Sequence, residues 1–259
     1  MENHTPNIAD ISSLLVDYAA TLAVSGAHSM RIQQNIKRMG ETFGYEVELS
    51  AFQLSIMLTI TDKNDPHNIF TQIKKISTLV LNFTIVSELS SLSWDTYDKN
   101  LSYDEVKSAY HRIASQKRIS RWLVLILVGF ANASFCGLFH GDIYAIGLVF
   151  LSTLFGFFIR QEMIHRQVNH LVTFTTSAFA ASLFAGLGYV LKIGSTPEIA
   201  LASSVLYLIP GVPLINSTLD IIHGHTLTGI ARLVNASILI VCIAIGLFSA
   251  MLLLGLEKL

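Results

Sequence analysis

Charge is what this sequence has least of. Asp, Glu, Lys and Arg make up 14% of its 259 residues, against roughly 25% in soluble domains, while apolar residues reach 52% and mean hydropathy is +0.55. That balance excludes a single water-soluble domain. An excess of basic charge is missing as well: the net charge is -1, so there is no cationic field to gather a nucleic acid. Cysteine is limited to Cys136 and Cys242, both inside apolar stretches, which leaves nothing for a disulfide scaffold or a thiolate zinc site. Met1-Glu-Asn-His-Thr-Pro has neither the basic nor the apolar region of a signal peptide, so the N-terminus is expected in the cytosol. No G-x-S-x-G, Walker A or C-x-x-C motif occurs, and no enzyme chemistry, cofactor or ATP site is expected.

The charge that is present is segregated. Of the 17 Lys and Arg and 18 Asp and Glu, 25 fall in residues 1–121 and ten in the remainder. The expected architecture is an all-α membrane protein of five transmembrane helices (residues 119–259) behind a small N-terminal α+β cytosolic domain (residues 1–118). In that domain, apolar residues from Ile8 to Val24 follow the helical period and Gly26 ends the run. A second helix is expected from Ser29, as N-cap, to Phe43. Tyr45–Leu49 and Leu54–Ile60 read as strands, with a polar turn after them. Ile69–Ile76 is compatible with a strand or a helix start, and 78–92 with a buried helix. Ser102-Tyr-Asp-Glu is a capping box opening a further helix.

Five apolar runs follow, about 122–139, 143–159, 171–191, 199–215 and 233–254. Each is long enough to cross roughly 30 Å of hydrocarbon at about 1.5 Å per residue. With a cytosolic N-terminus, Lys107, Arg112, Lys117, Arg118, Arg121, Arg160, Arg166 and Arg232 fall inside, and only Lys192 and Lys258 outside. The positive-inside rule therefore gives an inner-membrane protein with its C-terminus outside. Five spans cannot form an inverted repeat alone, so the chain is either half of a transporter completed by another subunit or a unit that homo-oligomerises.

The sharpest chemical signal lies at the exit of the fourth run. Pro210, Gly211 and Pro213 interrupt the helical hydrogen-bond ladder at membrane depth, and such breaks expose backbone groups that hold ions and carboxylates. Asn216 and Asp220 lie four residues apart on one face, and Asp220 is placed to exchange protons or to pair with Arg232. Arg160, at the end of the second run, is a membrane anchor or an anion-attracting group at the pathway entrance. Asn132, Ser134, Thr173, Thr175, Thr176, Ser177, Asn235 and Ser237 either line a hydrophilic path or tie helices together. His165 and His170 are five apart and His223-Gly-His225 has only Asp220 nearby, so no metal site is expected.

Three stretches together resemble the threonine/serine exporter (ThrE) family, in its half-length YjjP-like branch. They are Ser25-Gly-Ala-His-Ser-Met-Arg-Ile-Gln; Arg121-Trp-Leu-Val running into Ala133-Ser-Phe-Cys-Gly-Leu-Phe; and Leu208-Ile-Pro-Gly-Val-Pro-Leu-Ile-Asn-Ser with His223-Gly-His-Thr-Leu-Thr-Gly-Ile-Ala-Arg. The similarity runs from about residue 10 to 255 and keeps order and spacing. It implies a cytosolic domain on a membrane half, with the other half supplied by a small YjjB-like membrane subunit. It also implies export of small carboxylates: C4-dicarboxylates such as succinate, or threonine and serine. Pro210, Gly211, Pro213, Asn216, Asp220, Gly224, Gly229 and Arg232 match the family motif by position. The expected partners are membrane lipid, that second subunit and the solute. A membrane-tethered regulator, and a membrane enzyme using His223 and His225, are the readings from other classes.

Overall fold

The computed structural model describes residues 6–76, 79–117 and 119–256. Thr78, where a helix is expected to begin, and Arg118 and Lys258 of the charge pattern lie outside them. Ten α-helices and one three-stranded sheet are described, and the chain separates into two compact units: Met1–Lys117 with Val212–Val234, and Arg118–Gly211 with Asn235–Leu259.

In the first unit, α1 (Ile8–Ser25) opens with a capping box between Asn7 and Asp10 and closes at Gly26, whose φ of 102° only glycine adopts readily. Helix α2 (Ser29–Thr42) follows. Ser29 is its first helical residue and not its N-cap; His28 takes the cap position, with its Nδ1 accepting from Arg31 N at 3.4 Å. Next come β1 (Tyr45–Ala51), β2 (Ser55–Asp62) and β3 (Ile69–Lys75), an antiparallel meander in sequential order. Its register runs from Tyr45 opposite Asp62 to Ala51 opposite Ile56, and from Ser55 opposite Lys75 to Thr61 opposite Ile69. The ambiguous segment is thus a strand: Phe70, Gln72 and Lys74 alternate with more exposed neighbours, a period of two that no helix sustains.

Helix α3 (Phe83–Lys99) starts later than its hydrophobicity suggests because Asn82 caps it through Ile85 N. Helix α4 (Tyr103–Ala114) opens on the Ser102–Glu105 capping box. Leu15, Tyr18, Leu22, Ile32, Ile36, Met39, Ile56, Leu58, Ile60 and Leu89 form the core among these elements. Helix α1 is itself long and apolar enough to cross a membrane, yet most of it is buried by the elements of its own unit.

In the second unit, α5 (Arg121–Leu138), α6 (Ile143–His165) and α7 (His170–Val190) are continuous and long enough to span a bilayer, as is α10 (Thr226–Leu253), which starts in the first unit. The fourth apolar run is broken. Helix α8 (Pro197–Ser203) and a 3₁₀ turn (Leu206–Leu208) end before Ile209–Pro210, and α9 (Gly211–Ile222) begins anew. Among the described residues there are thus five continuous spanning-length helices, α1 included, or six with the broken pair. Two boundaries differ from the hydropathy reading. Helix α6 continues through Arg160 to His165, supported by the Glu162–Arg166 pair one turn apart. Helix α10 begins seven residues before its apolar run, so Arg232 is a helical residue and not a loop residue. Small residues set the close contacts: Gly246 of α10 faces the backbone of Thr175 and Phe179 in α7, and Gly188 faces Leu148. Asp142 caps α6 and also binds Ser195, while its own amide donates to Thr196 Oγ1, joining two loops.

Candidate functional site

Two clusters of buried polar side chains stand out, one in each unit. The first forms where the α1–α2 turn meets α9. A helix leaves carbonyls unpaired at its C-terminal end and amides unpaired at its N-terminal end, and this turn presents both within four residues. Asn216 Nδ2 donates to Gly26 O at 2.9 Å, at the end of α1. Ser29 N, at the start of α2, donates to Asp220 Oδ1 at 2.9 Å. The four-residue spacing of Asn216 and Asp220 lets one face of α9 serve both helix ends. Asp220 thus meets the first amide of α2 while His28 meets that of Arg31, and the buried Ser29 Oγ makes no hydrogen bond.

The other oxygen of Asp220 accepts from Arg232 Nη1 at 2.7 Å. The carboxylate is fully buried and the guanidinium side chain is 15% exposed. The ion pair and the helix-end amide together meet the desolvation cost of the carboxylate. Arg232 reaches it because α9 turns back at Gly224 (φ 85°), where His225 N donates to Asp220 O at 2.8 Å. A Cβ on Gly229 would lie 2.6 Å from Ile221 Cγ1 and 2.8 Å from Ser217 O, so the α9–α10 hairpin closes only on glycine there. Thr228 Oγ1 donates to Ala51 O at 2.5 Å, fixing α10 to the end of β1. His223 stacks on His28 with ring centroids 6.1 Å apart. Burial first, then the charge of Arg31, holds the His28 imidazole below its ordinary range, with His223 and Arg232 acting the same way and Asp220 opposing them.

The second cluster belongs to α6, α7 and the 3₁₀ turn. Arg160 lies with its guanidinium carbon 4.9 Å from the Phe174 ring centroid and 5.6 Å from that of Phe157. Its Nε is buried without a hydrogen-bond partner, and among the described residues no carboxylate pairs with it. Asn132 Nδ2 bridges Thr153 Oγ1 (2.7 Å) and Ser203 O (3.1 Å), tying α5, α6 and α8 together. Ser134, Thr173 and Thr175 hydrogen-bond carbonyls one turn back in their own helices, so these three satisfy the backbone.

Of the residues marked in the sequence, the fold gathers Asn216, Asp220 and Arg232. Pro210 and Gly211 stand at the break. Pro213 occupies the first turn of α9, where a missing amide costs no intrahelical bond. Gly26 and Ser29, the backbone partners of this cluster, carry no chemical signal of their own.

Spanning-length helices and an interrupted apolar span define a polytopic membrane protein. Residues 13–254 match the family described as "Putative threonine/serine exporter", and the chain belongs to that family of membrane transporters. It is 32% identical over 248 residues, covering 95% of both chains, to the "Probable succinate transporter subunit YjjP" of Klebsiella aerogenes. To the protein of the same name from Escherichia coli strain K12 it is 31% identical over 249 residues, covering 95% of this chain and 96% of the relative. These names are those of transporters and not of enzymes. No solved structure matches the chain.

Proposed function

We propose that this chain is the larger subunit of a two-component inner-membrane exporter of small carboxylates, with C4-dicarboxylates such as succinate as first substrate and threonine or serine as second. The observation that carries this reading is the near full-length similarity to two proteins named as succinate transporter subunits. The word subunit points to a partner, and a span set without an internal counterpart agrees with a small YjjB-like membrane protein supplying the other half. The unit holding the sheet lies in the cytosol together with the basic ends of the spans, and the C-terminus lies outside.

In this reading the break at Pro210–Pro213 lies on the solute path. Arg160 attracts carboxylate, and Asp220 couples transport to protons. Loss of the Asp220 charge to a proton would weaken its hold on Arg232 and free a cation for the solute, while the carbonyl oxygen that remains still accepts from the Ser29 amide. Efflux from vesicles loaded with succinate, threonine or serine, with and without the partner, tests the proposal. Export of succinate by the pair alone is expected. No efflux of any of the three from the pair would defeat the exporter reading, and efflux by this chain alone would defeat the two-component one. The regulator reading draws on the first cluster, whose side chains hold helix ends. It predicts that Asp220→Asn leaves efflux unchanged at every pH.

A further inference from the structure

Arg160 is one face-turn beyond Gly156 on α6, and this face meets Tyr207. The Tyr207 ring stands edge-on to Phe157 at 5.8 Å, and its hydroxyl lies 3.5 Å from Ser177 O, a distance at the limit of a hydrogen bond. The same hydroxyl occupies the space that a side chain on Gly156 would need. On α7, Phe174 covers the guanidinium and Ser177 follows one turn later, fully buried, with its Oγ lacking any hydrogen-bond partner. A half-buried cation with a buried, unpartnered Nε, an underused phenol and an unpartnered hydroxyl thus lie along one seam between aromatic rings. Buried polar groups are as a rule hydrogen-bonded, and a cation partly withdrawn from water is stabilised when an anion meets it.

We infer that Arg160, Tyr207 and Ser177 form a subsite for a single carboxylate, with Phe157 and Phe174 as its apolar walls. Arg160 supplies charge-assisted hydrogen bonds, Tyr207 and Ser177 donate to the remaining lone pairs, and the rings lie against the aliphatic carbons next to the carboxylate. One cation balances one anion, so the subsite recognises what succinate, threonine and serine share. It does not by itself choose among them, and discrimination falls to whatever meets the other end of the solute. The inference rests on the exporter reading for its substrate class but not for the existence of the subsite.

Two measurements separate them. The first is binding of monomethyl succinate, which has one carboxylate, and dimethyl succinate, which has none, to the purified chain, read by thermal shift. Monomethyl succinate should stabilise the wild type and Tyr207→Phe more weakly, should fail to stabilise Arg160→Gln, and dimethyl succinate should stabilise none. The second is competition of these esters with labelled succinate in vesicles carrying the chain and its partner. There the monomethyl ester should compete, and Arg160→Gln should raise KM by about tenfold or more, with partial retention in Arg160→Lys. Equal binding of monomethyl succinate by wild type and a folded Arg160→Gln, or equal competition by the two esters, overturns the subsite. Binding that is lost in Arg160→Gln while the wild type exports nothing keeps the subsite and defeats the exporter reading.

Discussion

Asp220 carries two duties at once, because each oxygen of its carboxylate serves a different element. Removing it strands Arg232 and the Ser29 amide together. Breaking a buried pair by deleting one partner costs about 3–5 kcal/mol, so Asp220→Ala should lower the melting temperature well below that of Asp220→Asn, which keeps an acceptor for Ser29. Adding Arg232→Met to Asp220→Ala should recover part of the loss, since the uncompensated charge goes with it; additive losses in thermal melts would show that the pair is not coupled. His28 makes a second prediction at this scale. Its folded-state pKa is depressed, so the unfolded chain takes up the proton first. Stability is then full above the unfolded value of about 6.5 and declines as pH falls from there toward the lower folded value. His28→Asn, which retains a cap, should flatten that part of the melting-temperature profile.

At the scale of elements, the α9–α10 hairpin and the α1–α2 turn interlock through side chains placed by helical period, and two glycines separate packing from function. Gly229 has Ser217 O and Ile221 against it, whereas the space beside Gly211 is open. Gly229→Ala should therefore destabilise the protein by about 1–3 kcal/mol through overpacking. Gly211→Ala should melt like the wild type. If Gly211→Ala nevertheless lowers efflux, the open space beside it is used by solute or partner; unchanged efflux would remove Gly211 from the path. The elements were unequally legible in the sequence. The Ser102 capping box and the strand signals of β1 and β2 are local, and they form where expected. Helix α2 starts at Ser29 as expected, but the acceptors for its first amides are not the Ser29 side chain: they come from His28 and from Asp220, 191 positions away. Helix α6 ends later, and α10 starts earlier, than the apolar runs predict, because amphipathic turns extend a helix without raising its hydropathy.

For the whole molecule, orientation follows from where the basic residues fall relative to the spans. Reporters placed on the termini of the full chain should show the N-terminus cytosolic and the C-terminus outside; a cytosolic C-terminus would require the broken α8–α9 pair not to cross, or α1 to cross. That test matters because α1 has the length and apolarity of a span. Its buried contacts with α2, α3 and the sheet give it another use for that apolar surface.

Composition and periodicity were sufficient to point to a membrane protein with a charge-rich, partly β N-terminal part, because lipid and water impose their demands on every residue along the chain. They also marked Asn216, Asp220 and Arg232, since paired polar residues are rare in so apolar a setting. The identity of their partners was decided only by tertiary structure: a carboxylate fixes the distance at which it needs a donor, but not which distant segment will bring one. Arg160 shows the same limit from the other side, because a sequence reveals a cation among apolar residues and only packing reveals that no carboxylate among the described residues meets it.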